Sequence, residues 1–474
     1  MHNVQCVGAK PFIEPLERRR LLATTGLSAV YFNNSDFTGS TVARNDKSIT
    51  FTWNGGSPAP GVGGTTFSVR WNALIKPDTS ETYTFITKNN DGVRLWVNGK
   101  LLIDSWQSQP TATRSATIAL QANRLYDLRV EHFADSGGSS TMQLQWDTPT
   151  RNPAIIPATR LFAYDVRAAS IGDYGKNNTA EADVARMIRG WAPSFVTTVG
   201  DNNYPSGSAS TIDRNIGQYF HSFIGNYHGS YGGGSASNAF FPTLGNHDWE
   251  ASNAAPYKNY FSLPNNERYY DFVKGPVHFF ALDSDTHEPD GTSATSKQAQ
   301  WLKSKMLASS APFKVVYLHD PPYSSGGAQQ SRMRWPFREW GADVVLAGSD
   351  HFYERLSIGG VPYIVNGAGA STVSFNSIRS ESKVRSNSDT GALLIQANDL
   401  AMTLQYQHDS GRVVDTITIA PTPGAVASAT STAPPRVASI PSARNVFDDL
   451  SATMPFVGPL PDWSTVPIRD EILI

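Results

Sequence analysis

Cysteine is nearly missing from this chain: Cys6 is the only one in 474 residues, so no intramolecular disulfide can form. That does not exclude export, because many bacterial surface proteins lack disulfides. Long apolar runs are missing too. No stretch of about eighteen apolar residues occurs, so no transmembrane helix is expected. An excess of one charge is also absent, with 39 Lys and Arg against 41 Asp and Glu and a formal net charge of -2. The lack of a long basic run in the body of the chain argues against a nucleic-acid groove dominated by phosphate neutralisation. The length accommodates two or three domains with sizeable cores.

What the second half does contain is five short polar motifs: Gly172-Asp173-Tyr174-Gly175, Gly200-Asp201-Asn202-Asn203-Tyr204, Gly245-Asn246-His247-Asp248, Tyr317-Leu318-His319-Asp320 and Gly348-Ser349-Asp350-His351. Strand-like runs precede four of them: 168–171, 195–199, 314–318 and 343–347. Open α/β folds place their chemistry where such strands end. Carboxylates, an amide, a phenol and imidazoles together suit hard or borderline metals such as Fe, Zn or Mn. A carboxylate can bridge two cations, and paired cations clamp the attacking and leaving oxygens of a phosphoryl displacement. The expectation is a two-metal site.

In order and identity these motifs resemble the calcineurin-like metallophosphoesterases, and among them the purple acid phosphatase type, over roughly residues 161–419. His278–Ser284, Pro321–Gly326 and His351–Arg355 carry the resemblance further. Most metallophosphoesterases have Asp-x-His in the first motif; here Tyr174 and Gly175 follow Asp173, and Tyr204 would supply the missing ligand, as in the purple enzymes. The resemblance implies that Asp173, Tyr204 and His351 bind one metal, Asn246 and His319 the other, and Asp201 both. A Tyr ligand implies iron at the first position, with Fe, Zn or Mn at the second. His247 would contact phosphate or protonate the leaving group, with Asp248 open as its orienting partner. The implied activity is hydrolysis of phosphomonoesters by a hydroxide generated between two metals; a phosphodiesterase or nucleotidase stays open.

Two departures bear on the second metal. Ser349 stands where the family has a His ligand, and Asp320 stands where related sequences have a second His. Asp320 compensating as an oxygen ligand, or Asp350 turning inward, are both open. So is the alternative function: a surface attachment protein whose phosphatase-like domain is weakened or inactive. His221, His228, His278, His287 and His408 match no ligand position and read as structural, and Glu354-Arg355 reads as a structural ion pair.

Residues 27–160 alternate short β-type runs with Gly, Asn, Asp and Pro turns, which predicts an all-β sandwich or barrel. Asn98-Gly99 reads as a hairpin turn. Phe67–Trp71, Tyr83–Phe85, Asp91–Gly99 and Tyr126–Phe133 resemble the protective-antigen-type domain. The resemblance implies an accessory module for attachment, with a glycan or other cell-surface ligand. Its lectin members hold Ca²⁺ with two consecutive Asp residues; here the position reads Asn90-Asp91, one charge short. Trp96 and Trp106 read as core aromatics.

Residues 161–420 turn to α/β, with helical character at 181–191 and 296–307 and strand-like runs at 357–366, 392–397, 401–406 and 413–419. This suits the four-layer metallophosphoesterase sandwich. Within residues 1–26, Phe12–Ala23 (with Pro15-Leu16-Glu17-Arg18 and Leu21-Leu22) resembles the Leu-Glu-Pro-Arg sorting element of large bacterial surface and secreted proteins, with a disordered basic tail as the alternative. The expected location is therefore secreted or at the cell envelope. Residues 421–474 begin as a Pro, Ala, Ser and Thr-rich linker and end in a tail.

Overall fold

The structure is a computed structural model that describes residues 24–135 and 138–421. Nearly all of the sorting segment and all but the first residue of the C-terminal linker and tail lie outside the described residues. Among the described residues no helix is long and apolar enough to cross a membrane.

The N-terminal part is a sandwich of two antiparallel sheets. One runs in the order Thr41–Asp46, Leu27–Phe32, Phe67–Ile75, Tyr126–Ala134, Val93–Val97, Lys100–Ser105; the other runs Arg151–Ile155, Thr141–Thr148, Glu81–Asn89, Ala112–Leu120. Trp71, Tyr83, Phe85, Leu95, Val130 and Trp146 meet between them. Alternation along each strand sorts the side chains. Val93, Leu95 and Val97 point into this core, so Trp96 points out, where it packs beneath Arg129 at 4.7 Å. Trp106 stacks on Phe37 at 5.4 Å, with Arg94 over its ring at 4.0 Å. Both tryptophans are packing residues, but neither belongs to the inter-sheet core. Asn98 and Gly99 have φ of 53° and 71°, the left-handed pair that a two-residue hairpin needs to match strand twist. Leu161–Phe162 pairs with Leu74–Ile75, so the chain leaves this sheet two residues later than the composition change suggests.

The second part has two mixed sheets, packed face to face and flanked by helices. The first sheet runs Phe240–Pro242, Phe195–Thr198, Val166–Ile171, Gly391–Asn398, Ala401–His408, Val413–Ile419. The second runs Tyr270–Lys274, Val277–Ala281, Phe313–Tyr317, Val344–Ala347, Val361–Asn366, Tyr353–Ile358, Ser382–Ser386. Phe195, Phe279, Val315, Leu346 and Ile395 fill the space between the sheets. The helix Thr179–Gly190 lays Val184, Ala185 and Ile188 on the outer face of the first sheet. Lys297–Ala308 lays Ala299, Leu302 and Met306 on the outer face of the second. The apolar stretch at 357–366 is two strands, because Gly359 and Gly360 turn the chain between Ile358 and Val361.

The two parts meet through sheet faces. Phe67–Ile75 and Tyr126–Ala134 are buried at every residue, with one side in their own core. On the other side Arg70 donates to the Gly190 carbonyl at 2.6 Å, and the Tyr164 hydroxyl donates to Asp127 Oδ1 at 3.3 Å. Arg70 and Arg94 reach the buried Glu131 carboxylate at 2.7 and 2.9 Å, and Arg129 also pairs with it.

Candidate metal centre

All five motifs sit at carboxyl ends of parallel strands, three from one sheet and two from the other, along the edge where the sheets adjoin. The same turn recurs. Asp173, Asp201 and Ser349 each follow a strand and a glycine, with φ of 56°, 51° and 67°. Asp tolerates this left-handed geometry better than most residues. It aims the two carboxylates across the sheet edge. Gly200 is required here: its φ is 88°, and a Cβ would come within 2.5 Å of His319 Nδ1. The strand leading to Asn246, Phe240–Pro242, is only three residues long and gave no sequence signal.

The convergent atoms form two groups joined by one carboxylate. In the first, the Tyr204 hydroxyl lies 2.9 Å from Asp201 Oδ2, 3.3 Å from Asp173 Oδ1 and 3.2 Å from His351 Nε2. His351 Nε2 is also 3.3 Å from Asp173 Oδ1. In the second group, His319 Nε2 lies 3.4 Å from Asp201 Oδ1 and 3.1 Å from Asn246 Oδ1. Asp173, Asp201 and His319 are all buried, with one potential ligand atom from each mutually within 4.8 Å. The outer ring nitrogens are engaged elsewhere. His319 Nδ1 meets the Val199 carbonyl at 2.9 Å, and His351 Nδ1 meets Ser371 Oγ at 2.9 Å. Holding one nitrogen in this way turns the other toward the site.

The electrostatics call for a cation. Among the described residues the ion pairs of Asp173 and Asp201 are with histidines only. Burial alone would lower the His319 imidazole, but Asp201, Asp173 and Asp320 together raise it to about 10. The Tyr204 phenol is pushed far up by burial and by Asp173 and Asp201. A multivalent cation reverses that preference and stabilises the phenolate. The donor set fits metal binding: Asp173, Tyr204, His351 and Asp201 on one side; Asp201, Asn246 and His319 on the other.

The remaining predicted residues lie around this set. His247 donates its backbone N–H to Asp201 Oδ1 at 3.0 Å, and its ring packs 4.5 Å from that of Tyr204. Asp248 does not hold the His247 ring. Its carboxylate accepts from the Asn202 side-chain amide at 2.8 Å and the Gly245 N–H at 2.9 Å, tying the second motif to the third. Burial, then Asp201, raises it to about 7. Asp320 is paired with Arg332, and Asp350 accepts from Ser324, Gly327 and Ala328. Ser349 gives its N–H to Asp173 Oδ2 at 2.9 Å. Glu354 and Arg355 do not pair with each other, because neighbours on a strand face opposite ways. Glu354 binds Ser325, and Arg355 binds Asp415. Sequence reading missed Ser371 and Lys176, which come from loops with no motif; Lys176 Nζ donates to Ser371 Oγ at 2.7 Å.

In the β domain, the Asn90 amide donates to the Ser139 carbonyl at 3.0 Å and to Asp91 Oδ2 at 3.3 Å. The Asn90 side-chain Oδ1 accepts from the Thr141 N–H at 2.6 Å. The Asn90-Asp91 pair is therefore knitted into its own loop.

Comparison with known proteins agrees with this division. Residues 23–160 match the PA14 domain family, and residues 166–353 match the calcineurin-like phosphoesterase family. The anti-sigma-I factor RsgI3 of Acetivibrio thermocellus is 41% identical over 141 residues, which is 30% of this chain and 22% of that protein. An anti-sigma factor domain-containing protein from Clostridium clariflavum is 36% identical, with a TM-score of 0.28, covering 29% of this chain and 47% of its own. The purple acid phosphatase PPD1 of yellow lupin (Lupinus luteus) is 14% identical with a TM-score of 0.44, covering 84% of this chain and 91% of its own. The chain thus joins an N-terminal PA14 β-sandwich to a calcineurin-like α/β metallophosphoesterase domain.

Proposed function

We propose that the protein is an exported phosphomonoesterase of the purple acid phosphatase type. The observation that carries the reading is the division of the Asp201 carboxylate between the Tyr204 and His319 groups, at 2.9 and 3.4 Å. Asp173, Tyr204, His351 and Asp201 would hold iron; Asp201, Asn246 and His319 would hold Fe, Zn or Mn. Bound cations supply Lewis acidity toward the phosphoryl group and lower the pKa of water.

The chain's own residues do the rest. Val199 and Ser371 fix the two imidazoles. Asn202 and Asp248 lock the turn that presents Asp201. His247, half-exposed beside Tyr204, is placed to meet a phosphate oxygen or to give a proton to the leaving oxygen. The PA14 domain would hold the enzyme to a glycan or other cell-surface ligand, without the paired aspartates of a Ca²⁺ site.

One observation favours a second reading, a surface-attachment protein with little turnover: the second group has three donors, and Ser349 does not complete it. Hydrolysis of an aryl phosphate with Fe, Zn or Mn supplied, beside Asp201→Asn, separates the two. Metal-dependent turnover lost in the variant supports the enzyme; its absence with every metal supports the binding protein.

A further inference from the structure

Lys176 lies three residues beyond Asp173, on a loop fixed before its side chain begins. Its backbone N–H and that of Asn177 donate to the buried Glu181 carboxylate at 2.9 and 2.6 Å. Asn178 caps the helix that follows, accepting from the Glu181 N–H at 2.9 Å. From this base the half-buried side chain turns toward the centre. Its ammonium sits 4.6 Å from the middle of the Tyr204 ring and 2.7 Å from Ser371 Oγ.

Two features make this group unusual. Among the described residues it forms no ion pair with a carboxylate, and Ser371 takes only one of its three N–H donors. Ser371 is also committed. In the tautomer that leaves His351 Nε2 free for a metal, Nδ1 carries the hydrogen and donates to Ser371 Oγ. That oxygen accepts from both His351 and Lys176, so its own hydrogen is left to donate to a further acceptor. A fixed ammonium and a hydroxyl donor thus stand side by side at the rim of the Tyr204 group. Across Tyr204 lies His247, whose acidic partners are Glu250 at 3.2 Å and Asp201 at 3.9 Å.

We propose that Lys176 and Ser371 form an anion clamp for the phosphoryl oxygens, and that Lys176 makes the site select dianionic monoesters over monoanionic diesters; this rests on the phosphoesterase reading above. A phosphomonoester carries close to two negative charges at neutral pH, and a diester carries one. A fixed cation in a half-desolvated site rewards the second charge and supplies a charge-assisted hydrogen bond.

The test uses the full metal-loaded chain as wild type, Lys176→Met and Lys176→Arg, with metal content measured for each. Kinetics with p-nitrophenyl phosphate and bis(p-nitrophenyl) phosphate are joined by calorimetric binding of inorganic phosphate. Lys176→Met is expected to raise KM for the monoester and Kd for phosphate on the order of tenfold or more. Metal content stays close to wild type, the diester KM rises less than the monoester KM because the diester carries one charge rather than two, and Lys176→Arg recovers most of the loss. Equal KM and phosphate Kd in Lys176→Met and wild type would overturn the clamp. So would equal losses on both esters, or loss of metal, either of which marks a structural role. Should wild type hydrolyse neither ester, the phosphoesterase reading fails, and phosphate affinity alone decides the clamp: weaker binding in Lys176→Met supports it, and unchanged or absent binding rejects it.

Discussion

The hydroxyl of Tyr204 and the carboxylate of Asp201, three residues apart in one turn, meet at 2.9 Å on the Oδ2 side, leaving Oδ1 to His319 and the His247 N–H. One turn therefore supplies a phenol to one group and a shared carboxylate to both. The Asn202 and Asn203 side chains hold it there. The Asn202 amide donates to Asp248 and to the Thr243 carbonyl, and the Asn203 amide to the Ser208 carbonyl.

Tyr204 gives a spectroscopic prediction. Its phenol holds its proton strongly beside Asp173 and Asp201, so deprotonation at neutral pH requires a cation. Iron-loaded protein should show a phenolate-to-iron charge-transfer band in the visible range, and Tyr204→Phe should lose it. A band of equal strength in Tyr204→Phe would remove Tyr204 from the ligand set.

Ser371 orients His351 from outside the ligand set. Ser371→Ala should weaken metal binding at the Tyr204 group by about 10–100-fold, the usual cost of removing such a partner. Competition against a chelator measures it. Unchanged affinity would show that His351 does not bind metal through Nε2.

Ser349→His should add the donor that the second group lacks. The backbone there has φ of 67°, and His is among the residues that tolerate this conformation. The variant should retain a second equivalent of Zn or Mn at concentrations where wild type retains less, and turn over faster. Elemental analysis after gel filtration checks it, and no gain in metal or rate would count against this position.

Glu131 gathers three arginines of the β domain, two of which also reach the second domain, Arg70 at the Gly190 carbonyl and Arg129 at Gln407. Burial alone would raise its pKa, but Arg129, Arg70 and Arg94 bring it down to about 2 from an ordinary 4.5. A depressed acid stabilises the fold above its unfolded pKa and loses that contribution as pH falls through the folded value. Glu131→Gln should cost about 3–5 kcal/mol at neutral pH, because it leaves buried guanidinium groups uncompensated. Its deficit against wild type should shrink between pH 4.5 and 2. Denaturant unfolding at several pH values measures both, and a deficit independent of pH would contradict the charge argument.

Much of the centre was legible because Asp173 and Asp201 follow an apolar run and a glycine, and His319 and His351 come soon after apolar runs, so the four could be placed at strand ends. Asn246 was legible only by its motif, since a three-residue strand containing Pro242 has no periodicity. The supporting residues were not legible. Lys176 and Ser371 meet across 195 positions of sequence, and nothing local marks either. The partners of Asp248 and Asp320 were not legible for a related reason: adjacency to a ligand in sequence does not say where a side chain points, and Asp248 accepts from Asn202 and Gly245 while Asp320 pairs with Arg332. The domain interface was hidden because Arg70, Arg94 and Arg129 alternate with apolar residues and so read as a solvent face. Burial on both sides of a strand shows itself only when the second domain covers it.

The most direct test of the account is hydrolysis of p-nitrophenyl phosphate by metal-free protein titrated with Fe, Zn or Mn, with Asp201→Asn alongside. The account predicts no turnover without metal, a rise that saturates near two equivalents, and background rates in the variant. Turnover that is independent of metal, or undiminished in Asp201→Asn, would contradict it.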